Sequence, residues 1–283
     1  SDYGARQFFY DSLMVTQNAL GQPDTIRPIC SHCAVTGYSD IFYSVTNDEY
    51  ALLQSPSTTT FYSFSINIFD EEIAKIAKHK GIIGIPLEQR VLGGYINRKV
   101  KKEYCIYKDG SLDRGKSRKV KRWKLARRML KHIRKTEPGL LQDAMHYTQH
   151  AMGVTDVEKA FEILCQDYIS AEPFLQNLFY IIDKSNVAQK DAWKLVCIGS
   201  DLDGIIDPID ICPTASQYPH FRARLQQFIP IFFRMKEIDQ NLPHDSEMKL
   251  YFADVTIEKA LAQLFYDNLK NFSQTNFSQK PTP

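Results

Sequence analysis

Val196-Cys197-Ile198-Gly199-Ser200-Asp201-Leu202-Asp203-Gly204 is the stretch whose reading decides the fold of this chain. Its apolar opening stops at a small-residue turn carrying two carboxylates two positions apart. Such a turn has two readings. It is a surface loop between a strand and a helix, with an aspartate capping that helix. Or it presents a carboxylate at the C-terminal end of a buried strand, where a (β/α)8 barrel places its chemistry. A second strand end far upstream, Ile26-Arg27-Pro28-Ile29-Cys30-Ser31-His32, weighs for the latter, because it delivers a histidine to the equivalent place. Imidazole and carboxylate from two strand ends belong to the ligand set of a hydrolytic zinc site.

Between these strand ends the order of elements points to a parallel sheet. Phe69 to Gly81 predicts a helix, with Asp70 as cap, acids in the first turn, bases in the last, and Gly81 closing it in left-handed conformation. Ile82-Ile83-Gly84-Ile85-Pro86-Leu87 comes next as a short strand, apolar on both faces as parallel strands are. Apolar spacing also predicts helices over 3–14 (Phe8, Phe9, Leu13 and Met14 inward), 140–152, 155–169, 172–184, 219–238 and 255–271. Gln54 to Thr60 reads as an exposed loop, and Ser273 to Pro283 as a fraying tail. Helices alternating with apolar strands make the class α/β with a parallel sheet. Three strands do not close a barrel, so the sheet is either small and open or the C-terminal part of a larger one.

Composition narrows the class further. In 283 residues, 43% hydrophobic with 17 Phe and 15 Tyr, there is ample material for a packed core. No apolar run approaches the length of a membrane span. Ser1-Asp2-Tyr3-Gly4-Ala5-Arg6 lacks the pattern of a signal peptide and reads as a cut from something longer; a cytoplasmic location is expected. The irregular spacing of six cysteines argues for free thiols. The net charge of +2 hides an asymmetry. Residues 98–135 carry 17 Lys or Arg against three acids, so the remainder holds 18 bases and 30 acids. Within that basic segment Trp123, Ala126, Leu130 and Ile133 recur at helical spacing. An amphipathic basic helix can bind an anionic partner, or it can pack its stripe on the acidic body. The second is favoured, and nucleic-acid binding is not expected. Cys30, His32 and Cys33 lack the second pair a structural zinc requires. His146 and His150 lie four apart without the Glu of a metalloprotease helix, and a solvent-facing or capping role is expected.

Four motifs, in order, resemble the membrane (renal) dipeptidase family of the amidohydrolase superfamily. Ile29-Cys30-Ser31-His32 is similar to that family's "PVIxSHS" strand end. Phe69 through Ile85 is similar to its "LSDEEIRAIAxxGGVIGI" segment, and Ile198 through Gly204 to its "IGSDFDG". Val255-Thr256-Ile257-Glu258-Lys259-Ala260 through Asn268 looks like the helix that finishes these barrels. The likeness touches about 1–87 and 192–271 and leaves 88–191 unexplained.

The resemblance implies a C-terminal part of a (β/α)8 TIM-barrel metallohydrolase with a large helical insertion before the last strand. Residues 1–97 would hold the helix after strand five and strands six and seven. Residues 98–191 would be the basic insertion, 192–272 strand eight with the final helices, and 273–283 a disordered tail. It implies zinc, two ions in the complete protein, and a small peptide or amide substrate. His32 would be a metal ligand, and Asp201 both a metal ligand and the catalytic proton carrier, with Asp203 bracing the turn. The family's opening His-x-Asp, bridging carboxylate and fifth-strand histidine have no counterpart here, and Ile41-Phe42-Tyr43-Ser44 stands where members carry a substrate-binding arginine. This chain alone is therefore expected to be inactive and to form homo-oligomers. The alternative is a non-catalytic module that binds an anionic partner through 98–135.

Overall fold

The apolar runs that flank the two motifs fold as strands. A computed structural model describes residues 6–12, 27–37, 61, 66–89, 91–92, 101–103, 105–106, 112–113, 119–199, 207–253 and 255–277, the backbone alone over 101–123 and 189–190. Its main elements, in chain order, are β1 (Ile29–Cys30), α1 (Asp70–Lys78), β2 (Ile82–Ile85), α2 (Arg122–Thr136), α3 (Pro138–Ala151), α4 (Val157–Lys184), β3 (Val196–Ile198), α5 (Tyr218–Gln240) and α6 (Asn268–Phe277). The protein is mixed α/β, mostly helical with a small parallel sheet. No described helix is long and apolar enough to cross a membrane. The chain divides into two compact units, one of 1–93, 176–207 and 259–283, the other of 94–175 and 208–258.

The first unit holds the parallel sheet, ordered β1-β2-β3. Ile29 and Cys30 face Ile82 and Ile83 in register, and Ile83, Gly84 and Ile85 face Val196, Cys197 and Ile198. The central strand is buried along its whole length, as its apolar composition on both faces requires. Asn177, buried on α4, accepts from the Val35 backbone at 3.0 Å and donates to the Leu92 carbonyl at 3.2 Å. Asn268, at the start of α6, donates to the carbonyl of Trp193, just ahead of β3, and to that of Val196, the first residue of β3.

Helix α1 forms where expected, but its ends are built differently. Phe69, extended at φ −88° and ψ 164°, is the N-cap, and its N–H donates to the Glu72 carboxylate at 3.0 Å. Asp70 is thereby the first helical residue rather than the cap, and its carboxylate accepts from the Tyr180 hydroxyl at 2.7 Å. Buried Glu72 also receives Arg6, at 2.6 Å from Nε and 3.1 Å from Nη2. The left-handed residue after α1 is Lys80, with φ +52°, not Gly81. Gly81 serves close approach instead, since a Cβ there would lie 2.4 Å from the Pro28 carbonyl oxygen. Residues 6–12 are helical, yet Phe8 and Phe9 are exposed and Tyr10 is the buried aromatic.

The stretches 155–169 and 172–184, expected as two helices, are one helix, α4, unbroken at Pro173. A proline inside a helix costs about 3 kcal/mol. Here Phe161, Leu164, Tyr168, Ala171, Phe174 and Leu175 are all fully buried, and at about 1.5–3 kcal/mol per large apolar side chain the continuous stripe outweighs the break. The basic segment contains two short antiparallel ladders that the sequence did not lead us to expect, Lys101–Glu103 with Lys119–Lys121 and Cys105–Ile106 with Leu112–Asp113. Its helix, α2, buries Ala126, Leu130 and Ile133 as the spacing predicts. Towards the end of the chain α6 runs to Phe277, into the stretch read as a tail.

Candidate functional site

Three strand ends converge where the sequence places its motifs. Beyond β1, the Ser31 carbonyl leans over the other two strands. A Cβ on Gly84 would lie 2.3 Å from that oxygen and 2.8 Å from the Cα of Gly199. A Cβ on Gly199 would lie 2.1 Å from it and 2.6 Å from the Gly84 carbonyl carbon. No side chain fits at either position. The backbone is pinned there as well, with Cys33 N–H donating to Gly84 O and Gly199 N–H to Ile85 O, each at 2.9 Å. His32 therefore comes directly after the residue that touches Gly199, and Gly199 stands two residues before Asp201.

His32 is exposed, with its Nδ1 2.8 Å from the Ser31 hydroxyl. A bond at Nδ1 orients the ring and leaves Nε2 as the nitrogen that could face a metal ion. The imidazole thus suits zinc. Asp201, Leu202, Asp203 and Gly204 lie outside the described residues, as do the loop 54–60 and the stretch 41–44. Among the described residues no group of three or more His, Cys, Asp or Glu could hold a metal ion.

Cys165, Cys197 and Cys212 are free thiols as expected, but Cys30 and Cys33 are not. Cys30 and Cys33 are joined in a disulfide that closes a four-residue loop around His32, with Cα atoms 6.0 Å apart, well inside the span a disulfide bridges. A disulfide sulfur is not a thiolate, so these two cannot ligate zinc in this state. The signal was the Cys-x-x-Cys spacing itself, which closes a single short loop rather than a framework of many bridges. Cys197 of β3 is a core thiol packed with Ile82 and Phe272, and burial pushes its pKa up to about 12. His146 and His150 are both exposed on α3, as expected, their ring centroids 4.2 Å apart.

No family model, curated protein or solved structure matches the chain. The family likeness therefore rests on the sequence motifs alone. Elsewhere, two arginines of the basic helix are paired within the second unit. Arg134 pairs with Glu158 at 2.8 Å and stacks on the Phe161 ring, and Arg127 pairs with Glu162.

Proposed function

We propose that this chain is part of a dipeptidase-like, metal-dependent hydrolase of amide or peptide bonds. One observation carries the reading: the Ser31 carbonyl packs on Gly199, which brings the stretch bearing His32 against the one leading to Asp201. The finer fold reading is that β1, β2 and β3 are the sixth, seventh and eighth strands of a barrel, and their parallel pairing in sequence order supports it. Zinc held there would polarise the amide carbonyl and acidify the attacking water. The chain's own part is to offer the His32 imidazole as a ligand and to move a proton at the Asp201 carboxylate, from the attacking water to the leaving amine. In the described sheet β1 and β3 each pair on one side only, and such edges favour self-association. The alternative, an anionic partner bound through 98–135, gains no support from α2, whose apolar stripe and two arginines are engaged within the second unit.

The test uses the full-length natural protein. Mass spectrometry should find two zinc-like ions, one of them lost in His32→Ala. Asp201→Asn should keep the circular dichroism spectrum and lower turnover on a panel of dipeptides and N-acyl amino acids at least about a hundredfold. Unchanged metal content in the first variant, or near-wild-type turnover in the second, overturns the assignment.

A further inference from the structure

The opposite end of the same sheet holds a second candidate site. Arg27, Gly81 and Leu195, which lead into β1, β2 and β3, line a cavity of about 610 Å³. That volume lies within the range of small-molecule pockets.

Its charge is one-sided. Among the described residues, Arg27, Lys78, Lys80 and Lys194 line it against one carboxylate, Asp191, which already accepts from Lys194 at 2.9 Å. The wall also has an apolar component, including Phe272 and Leu195. Gln263, also in the lining, opens a π-helical turn, Gln263–Asp267. Such turns are rare in helices and gather at functional sites. The Oε1 atom of Gln263 is buried and has no hydrogen-bond partner among the described residues. A buried acceptor left unpaired is costly, and a ligand N–H or O–H would satisfy it. Lys80 lines the cavity from a left-handed backbone that glycine would adopt at less cost.

We propose that this cavity binds a soluble organic phosphate. The phosphate lies among the four cations, and a ring bearing an N–H donor rests on Phe272 and reaches Gln263. The proposal does not depend on the metal site at the other end of the strands.

Titration calorimetry on the 283-residue chain tests it with three probes: ATP, which carries both halves, pyrophosphate, which carries charge alone, and adenosine, which carries the ring alone. ATP should bind one to one, at least tenfold more tightly than either fragment, and more weakly as salt rises. Lys78→Glu combined with Lys194→Glu, both exposed, should weaken ATP at least tenfold while circular dichroism and the thermal midpoint stay as in the parent. Gln263→Leu should weaken ATP and adenosine but not pyrophosphate. Absence of ATP binding, or binding that neither variant alters, overturns the proposal.

Discussion

Gly199 has room for a hydrogen atom where any other residue would place a carbon. Its neighbours are backbone atoms, the Ser31 carbonyl and Gly84, which cannot swing aside as a side-chain tip would. Gly199→Ala should therefore lower unfolding stability by about 3 kcal/mol, the upper part of the usual cost of overpacking. Urea denaturation of parent and variant measures it, and a loss below about 1 kcal/mol would mean that the strand ends are looser than described. The glycine itself was legible as a turn signal in Gly199-Ser200-Asp201. Its second role was not, because Ser31 is remote in sequence and only pairing of the strands brings it near. Cys30 and Cys33 teach the same lesson at short range. Their spacing stood in plain view, but bridging depends on how the chain turns after β1.

Among the elements, α3, α4 and α5 meet around one buried arginine. Arg224 donates to Asp167 at 2.9 Å, to the Ala144 carbonyl at 3.1 Å and to the Thr148 hydroxyl at 2.8 Å, and it lies over the Tyr147 ring. Burial nonetheless raises the pKa of Asp167 and lowers that of Arg224, so the pair is held against a desolvation cost. Arg224→Met would leave Asp167 without its counter-charge and should cost about 3–5 kcal/mol by chemical denaturation, as broken buried pairs do. Full retention of stability would show that water already serves the carboxylate.

Beside that cluster, His220 shares a 3.0 Å hydrogen bond with the Tyr147 hydroxyl, and burial lowers its pKa from the ordinary 6.5. The unfolded chain then takes up a proton before the folded one as pH falls. This part of the stability is whole above about 6.5 and is lost as pH drops towards the lower folded value. Asp70 and Asp167, both raised by burial, act with opposite sign: their contribution is present in acid and is lost as pH rises above about 3.8. Urea midpoints should accordingly fall between pH 8 and pH 5.5, and His220→Gln should flatten that slope. An equal slope in the variant would assign it to other groups. The helices that make this cluster were legible from their apolar spacing, and only the expected break between 169 and 172 is absent, closed by packing on both sides of it. The arginine cluster was not legible, since a lone Arg in a sequence does not announce burial.

At the scale of the whole molecule, the sheet-bearing unit is assembled from three separated stretches, 1–93, 176–207 and 259–283. The α/β class and the three parallel strands could be read from sequence, because each strand is a compact apolar run bounded by turn residues. The short ladders around the basic segment could not, their lysine-rich strands lacking any apolar alternation. The last stretch of the sheet unit is joined to its strand by Asn268, which satisfies two backbone carbonyls, those of Trp193 and Val196, with one amide group. Asn268→Leu should cost about 2 kcal/mol in urea denaturation, the penalty for buried acceptors left unpaired. A chain ending at Ala262 should lose more, with a thermal midpoint lower by more than about 10 °C; an unchanged midpoint would place the anchoring of β3 elsewhere.

That amide also orders events in time. A ribosome delivers β1 and β2 early, β3 much later, and Asn268 later still. The helical unit, whose last residue is Glu258, has all its parts before then. During synthesis the helical unit can therefore settle first, while the parallel sheet must wait with its third strand unlatched. Throughout that interval the nascent chain presents open strand edges, and it is there, rather than in the finished fold, that a chaperone would find most to hold.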